Sequence, residues 1–383
     1  MTETDGWVRT WGAAPQAPGA AVAALEPFAD ATLRQQVRIS GGGRRVRVRF
    51  TNEYGTAPLT IGAARLAPAG TGHPLTFAGR PTVTVPPGAP ILSDPLDLPL
   101  PALARLDISL YLPGHVASCT VHGRPVRAGW IAPGNAVLAP TPPADATPLP
   151  ARALLAAVEV LPDGPATTVV VLGDSITDGF GSSPDADHSW PDRLAERAAQ
   201  TGRAVHVVNQ GISGNRLLNG GHGDAALARF DRDVLATPGL GHVVLAIGLG
   251  DLAISYAPRG DDSPLAGFLT MFPGGPVTAD DVIAGYRQLT ARAREHGVRV
   301  CAATLTPYER DDMFSSGGET ARTAVNAWIR GSGAFDAVLD FDAVWRDPER
   351  PARTRDGFHA DDVHGNDAGY RALADSIDLS LFR

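Results

Sequence analysis

The chain has 383 residues, 44% of them apolar and 19% charged, with a formal net charge of −8. This is the balance of a globular protein with material for two domains, and it argues against a nucleic-acid partner. All 33 basic residues are arginine, which excludes a Schiff base, a phosphate-loop lysine or a Ser–Lys pair.

Gly (43) and Pro (33) make up about a fifth of the chain and predict many turns. Cys119 and Cys301 form no CxxC or Cys/His cluster and read as two buried thiols. The start, Met1-Thr-Glu-Thr-Asp-Gly-Trp7, has no basic region and no apolar region of a signal peptide. No apolar run reaches the ~18 residues that span a membrane. The expectation is a cytoplasmic protein without a membrane partner, or a secreted one if a leader has been removed. The sequence is silent on oligomeric state.

Up to about residue 165 the pattern is that of β-structure. Leu33–Ser40 and Arg45–Phe50 alternate polar and apolar residues around Gly41-Gly42-Gly43, which reads as a hairpin. Thr60–Leu66, Thr82–Val85, Leu106–Leu112, Ala117–Val121 and Leu154–Leu161 are further strands. Ala136–Pro150 reads as an irregular connection. A sandwich or jelly-roll over 1–165 is expected. From 166 to 383 short apolar runs recur at Val169–Leu172, Val205–Val208, Val243–Ile247, Val298–Leu305 and Ala337–Phe341. Helical stretches lie near 190–201, 224–236, 280–296, 319–330 and 366–380. In the third, Thr278 can cap a helix whose Val282, Ile283, Tyr286, Leu289 and Ala293 share a face. This alternation predicts a doubly wound parallel sheet, with its site at the C-terminal ends of the strands.

The residues after each run are therefore inspected first. Gly173-Asp174-Ser175-Ile176-Thr177-Asp178-Gly179 holds a Ser at a Gly-flanked turn, either a nucleophile or a plain turn residue. Asn209-Gln210-Gly211-Ile212-Ser213-Gly214-Asn215 has small residues that can point N–H groups at a developing negative charge, or can simply form a βα turn. Gly248-Leu249-Gly250-Asp251-Leu252-Ala253 fits a G-x-G-x-x-A dinucleotide pattern. It follows a middle strand, however, and what comes next reads as non-helical, so no cofactor is expected. Near the end, Asp356/His359 and Asp361/His364 compete as D-x-x-H pairs in which an Asp could orient a His as general base. Their crowding of acids allows a metal site, but no metal-binding spacing of the HExxH kind is present and no metal is expected.

Taken together, these segments resemble the GDSL hydrolases, also called SGNH hydrolases. Val169–Gly179 is similar to the family's first block, Asn209–Gly214 to its second, Ile247–Asp251 to its third, and Asp361–His364 with the following Asn-Asp-Ala-Gly-Tyr370 to its fifth. The stretches Trp11–Gln16 and Leu33–Ile39 resemble the β-domain that precedes this module in two-domain bacterial members. The resemblance implies a flavodoxin-like doubly wound sheet preceded by a β-sandwich. It also implies acyl-ester hydrolysis with Ser175 as nucleophile, His364 as base and Asp361 as its orienting group. The N–H groups of Ser175 and Gly214 would be oxyanion donors, and Asn215, Arg216 and Asp251 are possible substrate contacts. The family's third donor is an Asn in a Gly-x-Asn-Asp run, and here that position is Gly250. Gly365 also stands where the family usually has Pro.

Three functions follow. One is an acyl hydrolase that tolerates Gly250, with a backbone N–H, a water, Asn215 or Arg216 replacing the donor. The second is an enzyme diverted to acyl transfer or other biosynthetic chemistry, and the third is a binding-only pseudoenzyme. Each takes a small-molecule acyl ester or acylated ligand. Ser255–Gly274 reads either as a lid or as a surface insertion.

Overall fold

Along Gly43–Thr51 the apolar Val46, Val48 and Phe50 are buried, while the alternating Arg45, Arg47 and Arg49 stay half-exposed. That period-two pattern is the mark of a strand with one face on a core. The computed structural model describes residues 6–19, 25, 27–68, 72–123, 129–259, 265–361 and 363–382. The chain divides into two units. One runs through Ala166 and includes Pro184–Asp187 and Ala199–His206; the other holds the remainder.

In the first unit, Gly43–Thr51 pairs antiparallel with Leu155–Leu161, which pairs in turn with Val8–Gly12. Pro90–Leu92 and Leu96–Leu100 complete this five-stranded sheet. A six-stranded sheet has the order Thr147–Pro148, Gly129–Pro133, Phe28–Arg38, Arg105–Val116, Ala63–Pro68, His73–Leu75. One apolar core takes Val46, Val48, Val158 and Val160 from the first sheet and Leu33, Val37, Ile108 and Leu110 from the second.

The expected hairpin is not one. Phe28–Arg38 and Gly43–Thr51 belong to different sheets, and the glycines between them carry the chain from one sheet to the other. A Cβ on Gly42 would collide with the Leu100 carbonyl oxygen. Ala117–Val121 is likewise not a strand as a whole. The preceding strand runs on to Val116 past a bulge at Pro113-Gly114, and only Val121–His122 is extended beyond it.

The second unit is built on five parallel strands: β1 Thr167–Gly173, β2 Val205–Gly211, β3 Leu240–Ala246, β4 Arg299–Ala303 and β5 Ala337–Leu339. Their order is β2-β1-β3-β4-β5, with the switch point beside β1, the flavodoxin-like arrangement. Helices Trp190–Gln200, Ala279–Glu295, Ser316–Gly331 and Asp367–Asp375 fall where periodicity places them. Thr278 caps the second of these through a complete capping box with Asp281. The stretch near 224–236 is a short helix, Ala226–Phe230, continued by a π-turn, Asp231–Leu235.

Two expectations fail in this unit. Leu249–Tyr256 is a helix, and it runs on into the segment after Gly248–Ala253 that reads as non-helical. Gly248, at φ 119°, lets the chain leave β3 and turn directly into a helix that buries Leu249, Leu252 and Ala253. Phe341 belongs not to β5 but to the helix Phe341–Trp345, capped by Asp340. Among the described residues, no helix is long and apolar enough to cross a membrane.

Gly42 yields a direct test of the sheet-to-sheet connection. Gly42→Ala should destabilise the protein by about 1–3 kcal/mol, because backbone rather than a flexible side chain must move. Urea unfolding monitored by circular dichroism measures it. Wild-type stability would show that the connection does not pass this close to Leu100.

Candidate active site

The site is assembled where β1 and β2 end. After Gly173, Asp174 caps a single helical turn, Ser175–Asp178, by accepting the Ile176 N–H at 3.0 Å. Ser175 is thus the first residue of a helical turn rather than part of a loop, and its N–H is among the donors such a turn leaves free of internal partners. Burial pushes the Asp174 carboxyl up to about 6, against the lowering effect of the Ile176 N–H.

Asp178 reaches from this turn to the turn after β2. Its Oδ2 accepts the N–H (3.1 Å) and the hydroxyl (2.6 Å) of Ser213. Next to Ser213, Gly214 has φ +77°, and a Cβ there would lie 2.7 Å from the His222 ring. Conformation and contact both require glycine.

His364 comes from a loop closed by the His359–Gly365 bridge and the Ala360 N–H to His364 carbonyl bond of 2.9 Å. Its Nε2 lies 2.8 Å from Ser175 Oγ, and its Nδ1 lies 2.7 Å from Asp361 Oδ2. Asp361 Oδ1 also accepts the backbone N–H of His364 at 2.7 Å. Burial works against ionisation of Asp361, but the hydrogen bonds and charge of His364 hold its carboxyl well below the usual range. Phe180 stacks on the imidazole at 4.2 Å, fixing the plane of the ring.

The competing pair lies elsewhere. His359 Nδ1 faces the Asp361 carbonyl at 3.1 Å, and Asp356 is exposed and bonded to Arg310. Asp362, part of the same acidic run, lies outside the described residues. At Gly365 a Cβ would come 2.6 Å from Trp345. Proline carries a Cβ too, so the indole accounts for the glycine.

The remaining candidates divide. Gly250, second in its helix, lines the cavity over Ser175 together with Gly214 and Asn215, and a Cβ on it would sit 3.3 Å from the Asn215 carbonyl oxygen. Three expected substrate contacts have other work. The Asn215 amide donates to the carbonyls of His222 (3.0 Å) and Asp224 (2.8 Å), and its Oδ1 accepts from Arg229. Arg216 donates to the Gly220 and Pro273 carbonyls and lies over the Phe272 ring. Asp251 is buried, taking the N–H groups of Leu217 (2.6 Å) and Leu218 (3.0 Å). These side chains build the turn after β2, and Asn215 also lines the cavity over Ser175.

The cavity has a volume of about 330 Å³ and a mostly apolar wall, the lower end of the range for small-molecule sites. Ile254 lines it, as do Phe268 and Phe272 from the described part of Ser255–Gly274; residues 260–264 lie outside the described residues. Phe180, His222, Tyr308, Asp311 and Met313 also line it and carry no motif by which sequence reasoning could have found them.

A model of the GDSL-like lipase/acylhydrolase family matches residues 171–372, more than half of the chain. The chain belongs to that family. As a GDSL-type protein it is a serine ester hydrolase. Among solved structures it is similar to a catalytic mutant of an acetylxylan esterase from Geobacillus stearothermophilus (18% identity, 56% of this chain and 93% of that one, TM-score 0.42). It is also similar to a lipase/acylhydrolase from Enterococcus faecalis (19%, 55% and 92%, 0.40). A GDSL-like lipase from Bacteroides thetaiotaomicron is a third (16%, 56% and 87%, 0.40). No curated protein matches the sequence significantly.

Asp251 of this GDSL hydrolase offers a pH test. Burial raises its carboxyl to about 6 despite its two N–H donors, whereas an unfolded chain ionises it near ~3.9. Between those values the unfolded state holds fewer protons, so this group's contribution to stability falls as pH rises from about 4 to 6. Asn does not titrate. The stability cost of Asp251→Asn should therefore be smaller at pH 7 than at pH 4, by about 2 kcal/mol. Urea unfolding at both pH values reads it. A cost independent of pH would mean that the two N–H donors cancel the effect of burial.

Proposed function

We propose that this ester hydrolase works through Ser175 as nucleophile, His364 as general base and Asp361 as the group that orients His364. One observation carries the reading: an unbroken relay from Ser175 Oγ to His364 Nε2 at 2.8 Å and from His364 Nδ1 to Asp361 at 2.7 Å. In this mechanism Ser175 gives its proton to His364 as it attacks the ester carbonyl. Asp361 stabilises the imidazolium, which then protonates the leaving alkoxide. Water, activated by His364, hydrolyses the acyl-enzyme and restores the serine.

The oxyanion would be met by the N–H groups of Ser175 and Gly214. The third donor, an Asn side chain in the family pattern, would be missing at Gly250. Loss of one donor typically costs about 10²–10³ in rate. Gly250 lies in the first turn of Leu249–Tyr256, where N–H groups have no partner inside the helix. A backbone N–H of this turn would replace the missing donor, since the Asn215 amide is already given to the His222 and Asp224 carbonyls.

A fluorophosphonate probe should label the wild type at Ser175 and leave Ser175→Ala unlabelled. His364→Ala should lose several orders of magnitude in kcat, with His359→Ala within about tenfold. Labelling of Ser175→Ala, or the reverse ranking of the two histidines, would refute the assignment.

Gly250→Asn separates simple hydrolysis from acyl transfer. If the space beside Gly250 holds only solvent, the new amide should raise kcat on small activated esters about 10-fold or more, with KM little changed. If it holds part of a larger acyl acceptor, small-ester cleavage should improve while transfer to that acceptor falls. No change in either, with the fold intact, would mean that position 250 does not face the oxyanion.

A further inference from the structure

The loop after β4 brings a carboxylate into the same cavity that the proposed mechanism does not use. Asp311 lines the cavity with Tyr308 and Met313. Its Oδ1 accepts the Met313 N–H at 2.7 Å, and among the described residues no Arg or His nitrogen forms an ion pair with it. The neighbouring Arg310 is engaged by Asp356 instead. Burial pushes the Asp311 carboxyl up, against the lowering effects of the Met313 N–H and the charge of His364.

Around it the wall is aromatic, with Phe180, Phe268, Phe272 and Tyr308 lining the cavity. Aromatic rings with a carboxylate, in a mostly apolar cleft that Asp174 also lines, are the chemistry that recognises an organic cation. The place of Asp311 indicates which half of an ester would carry that cation. Asp311 and His364 line the same cavity. In the mechanism proposed above, His364 delivers its proton to the leaving alkoxide, so a group beside it meets the alcohol half. Gly214 and Gly250 would meet the carbonyl oxygen.

We infer that the site selects esters whose alcohol half carries an alkylammonium group, held against Asp311 and the aromatic wall. This rests on the reading of Ser175 as nucleophile. Hydrolysis adds water across the ester bond and releases the free acid and the amino alcohol, with the cation unchanged.

A matched pair of substrates tests it: the choline ester and the 3,3-dimethylbutyl ester of one acid, which differ in charge and little in shape. The acid is the one turned over best as its p-nitrophenyl ester, and acid release is followed by pH-stat titration. Wild type should favour the choline ester about tenfold or more in kcat/KM, with a preference that shrinks as salt is added. Asp311→Asn keeps an amide oxygen for the Met313 N–H and should lower the ratio of the two kcat/KM values about tenfold. Equal turnover of the two esters by wild type overturns the inference. So does a ratio that survives Asp311→Asn, or a loss shared equally by both esters, which would make Asp311 a positioning residue for His364. The underlying reading fails separately, if Ser175→Ala hydrolyses the neutral ester as well as wild type does.

Discussion

The candidate site depends on one buried guanidinium. Arg229, fully enclosed, donates to the Gly173 carbonyl at the end of β1 (3.1 Å), the Gln210 carbonyl near the end of β2 (2.8 Å) and Asn215 Oδ1 in the following turn (3.0 Å). Its charge is met by Asp233 one helical turn away, also buried, at 3.0 Å. A planar cation with five donors suits this role, because strand ends leave carbonyls converging from several directions. The pair adds little net stability by itself, since desolvating both ions is costly. Its effect is geometric. It sets the spacing between the turn that carries Ser175 and the turn that carries Gly214, and the proposed oxyanion donors come from those two turns.

That role explains which parts of the site were legible. Ser175, Gly214, His364 and Asp361 stand in short motifs because each needs a particular backbone at a strand or loop end, and such needs leave local marks in sequence. Asn215, Arg216 and Asp251 stand in the same motifs and hold carbonyl and N–H groups of the backbone. Spacing along a chain does not distinguish a residue that faces a substrate from one that braces the turn beneath it. Arg229, Phe180, Tyr308 and Asp311 have no motif at all. They reach the site from a helix or from loops whose approach depends on tertiary packing.

Legibility of the fold follows the same line. Buried parallel strands read as apolar runs, because both of their faces are covered, and all five were placed to within a few residues. In the β-rich unit, alternation located strands but not their partners. Phe28–Arg38 pairs with Arg105–Val116, some seventy residues away along the chain, and not with the strand that follows it. Nothing local in Gly41-Gly42-Gly43 separates a hairpin from a passage between sheets. The helix Leu249–Tyr256 escaped for a different reason: a positive-φ glycine can open a helix as readily as it can end one.

On the proposed alignment of the third block, the glycine at position 250 can be understood from its neighbour. Asp251 takes the N–H groups of Leu217 and Leu218 and so ties the start of Leu249–Tyr256 to the turn containing Gly214 and Asn215. With that tie intact, the backbone at 250 keeps its place whether or not a side chain is present; the nearest atom a Cβ would meet is the Asn215 carbonyl oxygen at 3.3 Å, a tight but not prohibitive contact. The two halves of the Gly-x-Asn-Asp pattern are therefore separable. Its aspartate holds the frame, and its asparagine would serve only the chemistry. On that alignment, a substitution at the second would change what the site does to an acyl group while leaving the fold untouched.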